Sequence, residues 1–272
     1  MRRMVIGLVM GLVMVSLGVM DVCSVAMAHP NLVDEEARAA RVAVMKAFPG
    51  ATIRDWQPAP MAGMFMFTVN TDERVFFVDG AGRYLLAQAA LFDLEKQENW
   101  TQGFIFAKRR ELLAAVPLGD AILYEPSQVT DGMKATSPVL VFDDPDCPFC
   151  RELHEEVKQL VLAGVPVAVF LHPVERLHKG ATRKSMNIWC AEKRQETMDA
   201  ALAGKVVPEV AQPCDTPIER NLQLARRLGG GPTPYIVLPD GRTVTGKKSA
   251  AELLSMLGKP ATVAQQLGQD RQ

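Results

Sequence analysis

The chain has 272 residues, of which 48% are hydrophobic and 22% are charged, and its formal net charge is −1. This length exceeds that of the commonest single domain, so we expect two domains. The nearly neutral charge excludes a strongly basic protein of the nucleic-acid-binding kind and gives no reason to expect a strongly anionic surface as a partner.

The first 28 residues have the pattern of a secretory signal peptide. Arg2 and Arg3 form a basic segment, an apolar run covers residues 4–19, and residues 26–28 (Ala-Met-Ala) fit a cleavage site. The apolar run is short for crossing about 30 Å of hydrocarbon, and no later stretch approaches membrane length. We therefore expect residues 1–28 to be removed on export, with no membrane insertion after cleavage.

Residues 29–99 are predicted to form a small α+β domain. Apolar residues recur at helical spacing over 31–48, and Pro49-Gly50 ends this helix. Strand-like runs separated by turn-forming clusters follow at 64–69, 74–78 and 83–90. So small a sheet has a limited core and edge strands that need a partner, which favours a homodimer joined through residues near 63–78.

Residues 100–121 are predicted to be a linker helix. The helical pattern covers 104–116, and Pro117 ends it. The basic cluster Lys108-Arg109-Arg110 is interpreted as the solvated face of this helix rather than as a nucleic-acid or membrane patch.

Residues 122–258 are predicted to form an α/β domain, followed by a tail at 259–272. The predicted elements are, in chain order, a strand at 138–142, a helix through Leu153 and Val157, a strand at 165–171, a long helical segment at 182–228, a strand at 235–238 and a helix at 250–257. The strand–helix–strand start indicates parallel pairing. The whole order fits a thioredoxin-like domain with a helical insertion.

The motif Cys147-Pro148-Phe149-Cys150 follows a predicted strand and opens a helix, which indicates a redox dithiol. Free N–H groups and the dipole at a helix N-terminus stabilise a thiolate, so Cys147 is predicted to be the exposed attacking thiol. Cys150 then resolves the mixed disulfide. The alternatives are a structural disulfide or half of a zinc site, but so small a loop constrains the chain little and no second C-x-x-C exists. We expect no metal and no cofactor.

Three carboxylates precede the motif: Asp143, Asp144 and Asp146. One interpretation makes them solvated or capping residues, with Asp146 near the helix N-cap. The other places one of them near Cys150, where it takes the thiol proton during resolution. The sequence leaves both interpretations open, and it assigns no histidine to catalysis.

Two further cysteines, Cys190 and Cys214, lie within the predicted helical insertion. Cys23 leaves with the signal peptide, and export places the rest in an oxidising compartment. A structural disulfide between Cys190 and Cys214 is predicted, because closing that loop gives roughly 3–4 kcal/mol on a chain-entropy estimate. A second redox pair is the alternative.

The mature chain resembles, over essentially its whole length, the periplasmic disulfide isomerases of the DsbC/DsbG type. The matching segments are 57–64 in the first domain, 141–154 around the C-x-x-C motif, 188–214 in the insertion and 229–237 near the C-terminus. The resemblance implies a periplasmic, V-shaped homodimer joined through an N-terminal dimerisation domain, with two active sites facing a cleft. It also implies that a membrane thiol-transfer protein keeps the dithiol reduced.

The resemblance further implies that the Thr233–Pro234 bond is cis and faces the C-x-x-C motif. Thr233, Pro234, Pro148 and Phe149 are then the expected substrate-binding residues. The sequence departs from the family pattern at two places that bear on redox poise and substrate docking. The two residues between the cysteines of the motif are Pro-Phe where the isomerases often have Gly-Tyr, and Pro232 stands where glycine is more usual.

The leading functional hypothesis is an enzyme that reduces and isomerises non-native disulfides in misfolded exported proteins. One alternative is a DsbG-like reductant of sulfenylated cysteines. Another is a chaperone-like dimer dedicated to a secretion or conjugation apparatus. The sequence leaves the reduction potential, the client and the recycling partner undetermined.

Overall fold

The computed structural model describes residues 30–70, 74–127, 137–212 and 214–258. The predicted signal peptide at 1–28 and the predicted tail at 259–272 therefore lie outside the described residues. In the part of the chain that is described, no helix is long and apolar enough to cross a membrane.

The N-terminal unit is one helix packed on an antiparallel sheet of strand order β1-β2-β3-β4. Its elements are α1 (Pro30–Ala47), β1 (Ile53–Pro58), β2 (Met64–Val69), β3 (Val75–Asp79) and β4 (Leu85–Ala87). The predicted helix and meander are confirmed, but β1 was missed. This strand has a polar sequence without alternation, and its pairing with β2 shifts register between Arg54 and Gln57.

The two strands within the predicted dimer contact, residues 63–78, lie inside the sheet. β3 pairs with β2 on one side and with β4 on the other, and β2 also pairs with β1. The expectation that residues near 63–78 offer free edges was therefore wrong, because the missed strand β1 covers β2. In the described part of the chain, the outer edges of this sheet belong to β1 and β4.

Both faces of this small sheet are covered. On one face, the Phe67 ring stacks between Trp56 and Phe76, and α1 closes the cluster. On the other face, Met66 and Phe77 pack against a second helix. Burial on both faces explains why β2 reads as a continuous apolar run rather than as an alternating one.

The second helix, α2 (Trp100–Leu113), follows a short hairpin of β5 (Phe92–Asp93) and β6 (Glu98–Asn99). It begins four residues before the predicted start, because the Asn99 side chain caps it by accepting from the Gln102 amide. Its first turns pack on the N-terminal sheet, and its end packs against the core of the second unit. The helix therefore bridges the two units directly.

The basic cluster on α2 is not simply a solvated face. Arg109 is only 8% exposed, and its guanidinium donates to the Gly241 carbonyl at 3.0 Å and to the Thr243 hydroxyl at 3.2 Å. The expectation was wrong for this residue because its partners lie more than 130 positions later in the chain.

The C-terminal unit is a five-stranded sheet of order β11-β10-β8-β9-β7, in which only the central pair β8–β9 is parallel among the described strands. Its strands are β7 (Ile122–Tyr124), β8 (Val139–Asp143), β9 (Val167–Leu171), β10 (Tyr235–Val237) and β11 (Thr243–Thr245). Its helices are α3 (Pro148–Leu162), α4 (Ala181–Cys190), α5 (Arg194–Leu202), α6 (Ile218–Arg227) and α7 (Ala250–Met256). The predicted thioredoxin-like domain with a helical insertion is confirmed.

The helical insertion is three helices rather than one long segment. Helix α5 stops just before Gly204, which has φ 78°, and α6 starts only after Pro217. A disulfide between Cys190 and Cys214 ties the end of α4 to the segment before α6. The continuous prediction over 182–228 failed because the helical periodicity was read across the breaks at 191–193 and 203–217.

Candidate active site

The C-x-x-C motif lies where the central strand β8 passes into helix α3. Cys147 is the N-cap residue of α3, and Pro148 occupies its first turn, where a missing N–H costs no hydrogen bond. Asp146 therefore precedes the N-cap rather than forming it. This placement puts the Cys147 sulfur at the positive end of the helix dipole.

Both sulfurs of the motif are free thiols, and both are buried. Cys150 is fully buried, and Cys147 is only 4% exposed, so the expectation of an exposed Cys147 was wrong. The loop before β10 covers it: the Thr233–Pro234 bond is cis, as expected, and the Thr233 carbonyl lies 3.5 Å from the Cys147 sulfur. Of the two thiols, Cys147 remains the one that reaches the surface.

The two thiols have opposite pKa shifts. Hydrogen bonding with the Cys150 thiol lowers the pKa of Cys147 to about 5, against the effect of burial, and the amides of Cys150 and Phe149 and a contact with Thr233 add to the lowering. Burial raises the pKa of Cys150 far above its ordinary value, and the neighbouring Cys147 and Asp143 add to the rise. Near neutral pH the pair is a thiolate at Cys147 and a thiol at Cys150.

Asp143 is the carboxylate that lies beside Cys150. It is fully buried, and burial raises its pKa to about 7, moderated by interaction with the Cys150 thiol. Among the described residues neither of its oxygens has a hydrogen bond of good geometry. The second interpretation of the carboxylates thus fits Asp143, whereas Asp146 is an ion-pair partner of Lys184 and lies 3.9 Å from Arg151.

Asp144 organises the loop before the nucleophile, a role that the sequence did not reveal. Its fully buried carboxylate accepts from the Asp146 amide at 2.8 Å, from the Val174 amide at 2.7 Å and from the His178 Nδ1 at 2.9 Å. Its carbonyl accepts from the Cys147 amide at 3.1 Å. Because Val174 and His178 are about 30 residues away in sequence, no local pattern could indicate these contacts.

Asp199 ties the insertion to helix α3, which carries the C-x-x-C motif. Asp199 of α5 accepts from the Tyr124 hydroxyl at 2.8 Å and lies 2.8 Å from the His154 Nε2. Burial lowers the pKa of His154, so the ring is neutral at neutral pH. His154 is therefore a structural residue of α3, and its contacts give it no place in the reaction.

In the described ranges, no group of three His, Cys, Asp or Glu side chains is arranged to hold a metal ion. Phe149 is 57% exposed beside Cys147, and the adjoining loop leaves Thr233 partly accessible while Pro234 is buried. The site therefore presents a low-pKa thiolate, an apolar ring and a short loop on one small area of surface.

Comparisons with known proteins agree with this arrangement. The family model of the disulfide bond isomerase protein N-terminal domain matches residues 31–102, and that of the thioredoxin-like domain matches residues 132–260. The thiol:disulfide interchange protein DsbC of Dickeya dadantii is 30% identical over 200 residues, which are 73% of this chain and 78% of that protein. DsbC of Escherichia coli K12 is 28% identical over 210 residues, 76% of this chain and 82% of that protein.

A crystal structure of a disulfide interchange protein from Neisseria gonorrhoeae has 28% sequence identity and a TM-score of 0.44, covering 53% of this chain and 96% of that one. The relatives' shared name favours disulfide exchange over the two alternatives weighed above. The chain belongs to the DsbC family of thiol:disulfide interchange proteins and is a thiol–disulfide oxidoreductase and isomerase.

Proposed function

We propose that Cys147 is the nucleophile of the exchange reaction and Cys150 the resolving thiol. The observation that carries this assignment is the split between the two pKa values, about 5 at Cys147 and strongly raised at Cys150. The Cys147 thiolate attacks one sulfur of a client disulfide, a mixed disulfide forms, and the other client sulfur leaves as a thiolate.

The mixed disulfide has two outcomes. In isomerisation, the freed client thiolate attacks another client disulfide, and a client thiolate finally displaces Cys147, so the enzyme ends unchanged. In reduction, Cys150 attacks the Cys147 sulfur, the client leaves with two thiols, and the enzyme ends with a Cys147–Cys150 disulfide.

Asp143 is the proposed proton acceptor for the resolving step. Cys150 must lose its proton to attack, and burial opposes its ionisation. A carboxylate with a pKa of about 7 beside this thiol is ionised often enough near neutral pH to take the proton.

Substrate docking is assigned to the surface around Cys147. Phe149 offers an exposed apolar ring, and the Thr233–Pro234 loop lies against the reactive sulfur. We assign client binding to Pro148 and Phe149, which follow Cys147 in the chain, and to Thr233 and Pro234, whose loop lies against the Cys147 sulfur.

We further propose that the protein is a homodimer joined through the N-terminal unit, at the edge of β4 rather than near 63–78. Along and after this edge the chain exposes a set of apolar side chains: Tyr84, Leu85, Leu86, Phe92 and Leu94, which are between 39% and 87% exposed. An exposed apolar edge strand is a pairing site. This assigns residues 29–99 to dimerisation, 100–121 to the link and 122–258 to catalysis.

The proposed location is the periplasm, which fits the signal-like pattern at 1–28. The proposed clients are misfolded exported proteins with wrong disulfides, and the proposed recycling partner is a membrane thiol-transfer protein. An isomerase must be held reduced, so thiol trapping in cells should find Cys147 and Cys150 mostly reduced. Mostly oxidised cysteines would indicate an oxidase instead.

The assignment of roles is tested by alkylation of the reduced protein at pH 6, with the modified cysteine identified by mass spectrometry. Cys147 should react well before Cys150, because its thiolate is already populated and its sulfur is the less buried one. Equal rates, or Cys150 reacting first, would contradict the assignment.

A further inference from the structure

The Asp144 carboxylate is the centre of a buried hydrogen-bond cluster directly behind the nucleophile. Three groups donate to it or lie within bonding distance: the amides of Asp146 and Val174 and the Nδ1 of His178. Of these three, only His178 can carry a charge. A fully buried carboxylate without a cation is costly, so the His178 imidazole is the group placed to compensate it.

His178 is linked to the nucleophile through Asp144, whose carboxylate lies 2.9 Å from the His178 Nδ1 and whose carbonyl accepts from the Cys147 amide. The hydrogen bond to Asp144 raises the pKa of His178 against partial desolvation, and the negative charges of Asp144, ionised Cys147 and Asp146 add to the rise. Its side chain is 24% exposed, so protons exchange freely with solvent. A cation here favours the thiolate of Cys147 by the same energy with which the thiolate favours the cation.

We propose that protonated His178 is a positioning residue for the exchange reaction: it neutralises Asp144, holds the loop before α3 and stabilises the Cys147 thiolate. This inference rests on the proposed role of Cys147 as the nucleophile. Protonation of His178 then makes the reactivity of the Cys147 thiol depend on pH. The imidazole itself takes no part in the disulfide exchange.

The other charged groups around His178 are largely neutralised among themselves. A cavity of about 380 Å³ beside the imidazole is bordered by charged residues of the loop, of α4 and of the segment after α5: Asp146, Lys179, Arg183, Lys184 and Glu209. Lys184 pairs with Asp146, and Arg183 lies 3.3 Å from Glu209. The charge of Asp144 also acts on His172, but burial lowers the pKa of His172 and keeps it neutral.

After the Arg183–Glu209 pair is set aside, the charges that act on His178 are those of Asp144, Cys147 and Asp146, and Lys184 pairs with the last of these. The Cys147 charge is the only one of the three that changes with redox state. In the reduced protein Cys147 is a thiolate, whereas in the oxidised protein the Cys147–Cys150 disulfide is neutral. His178 should therefore hold its proton more tightly in the reduced form.

The first test needs no substitution at His178. The chain contains four histidines, so the imidazole signals can be followed by NMR through a pH titration of the full chain. We expect the pKa of His178 to be higher in the reduced protein by about half a unit or more, because the oxidised protein lacks the Cys147 charge. Equal pKa values in both states would overturn the inference.

The second test compares the pH profile of Cys147 alkylation in wild type and in His178→Asn. The asparagine amide retains a donor toward Asp144 but removes the charge. A rise of half to one unit in the thiol pKa predicts an alkylation rate about two- to fivefold lower at pH 5, with the profiles converging at pH 9. Lys179→Gln, which removes an exposed charge without a contact to Asp144, is the matched control and should follow wild type more closely.

The outcomes separate this inference from the proposed function. Identical profiles for wild type and His178→Asn would overturn the role of His178 and leave the nucleophile assignment standing. Rapid alkylation that persists in Cys147→Ser would instead show that another thiol is the reactive one, and would overturn the proposed function. If Lys179→Gln displaced the alkylation profile as far as His178→Asn does, the loss of any nearby positive charge would explain the effect. That result would contradict a role particular to His178.

Discussion

At the scale of single residues, the chemistry depends on how differently two nearby thiols are surrounded. Cys147 is the N-cap of α3 with amide donors around its sulfur, whereas Cys150 lies in the core beside Asp143. The first environment could be predicted, because a helix start after a strand is visible in the sequence. The second could not, since it depends on which of the three carboxylates at 143, 144 and 146 lies beside Cys150.

Asp143→Asn should slow the resolving step by roughly a hundredfold at pH 7, because it removes the proton acceptor beside Cys150. The formation of the mixed disulfide by Cys147 should change little. Rapid-quench separation of the two steps measures both rates. A variant that resolves as fast as wild type would contradict the assigned role.

The same substitution should alter the pH dependence of stability. Burial raises the pKa of Asp143 from 3.8 to about 7, so the folded state binds a proton that the unfolded state has lost between these values. Wild-type stability then falls by about 3 kcal/mol from this group as the pH rises from 4 to 7.

In Asp143→Asn this contribution is absent, so the variant should gain stability relative to wild type as the pH rises through this window. Denaturant unfolding of the reduced proteins at several pH values measures the difference. Glu155→Gln, which alters an exposed carboxylate on α3, is the control and should show no comparable slope. A constant difference between Asp143→Asn and wild type would contradict the buried, proton-binding carboxylate.

At the scale of elements, the sequence predicted most helices and strands whose pattern is local. The apolar runs of β8 and β9 and the periodic helix α3 are examples. What it missed is decided by distant partners: β1 is polar and held by pairing with β2, and Arg109 is buried because the turn after β10 lies on it. The local periodicity of a sequence carries no information about contacts between such distant residues.

Gly241→Ala should destabilise the junction between α2 and the catalytic sheet. A Cβ at Gly241 would lie 2.5 Å from the Phe106 carbonyl oxygen and 3.2 Å from the Arg109 side chain, at a φ of +89°. Gly246→Ala is the matched control, since it has φ +79° but open space around the added atom.

Both substitutions carry the cost of a left-handed backbone, roughly 1 kcal/mol. The difference between the two losses in free energy of unfolding therefore measures the steric contact alone. We expect Gly241→Ala to be at least about 1 kcal/mol more destabilising by denaturant unfolding. Equal losses for the two variants would show that α2 is not tightly packed on this turn.

The Cys190–Cys214 disulfide is expected to stabilise the insertion without taking part in turnover. Replacing both cysteines by Ala should lower the free energy of unfolding by roughly 3 kcal/mol, because it releases the loop in the unfolded chain. The reductase activity of the folded variant should remain close to that of wild type. Loss of activity in a well-folded double variant would support the alternative of a second redox pair.

At the scale of the whole molecule, α2 joins the two units by packing on both, so the position of each active site is set relative to the N-terminal sheet. A dimer through that sheet would thus hold two sites in a defined relation. An isomerase gains from this arrangement, because a client kept between two sites can be attacked repeatedly while its disulfides rearrange.

Leu86→Asp should separate the dimer. The side chain is 45% exposed on the edge strand β4, and a charge on a paired edge disfavours association. Light scattering of the full chain should give a monomer that still reduces small disulfides but loses most isomerase activity on a scrambled client. Leu162→Asp, on an exposed position of α3, is the control and should stay dimeric. A dimeric Leu86→Asp variant would contradict the proposed interface.

The division of labour between the two thiols is tested most directly by trapping the mixed disulfide. Cys150→Ser, incubated with a peptide disulfide, should accumulate a covalent adduct that mass spectrometry locates at Cys147, because the resolving thiol is gone. Cys147→Ser should accumulate none, since the Cys150 thiol is fully buried and its pKa is raised. An adduct on Cys150 in Cys147→Ser, or no adduct in Cys150→Ser, would contradict the account.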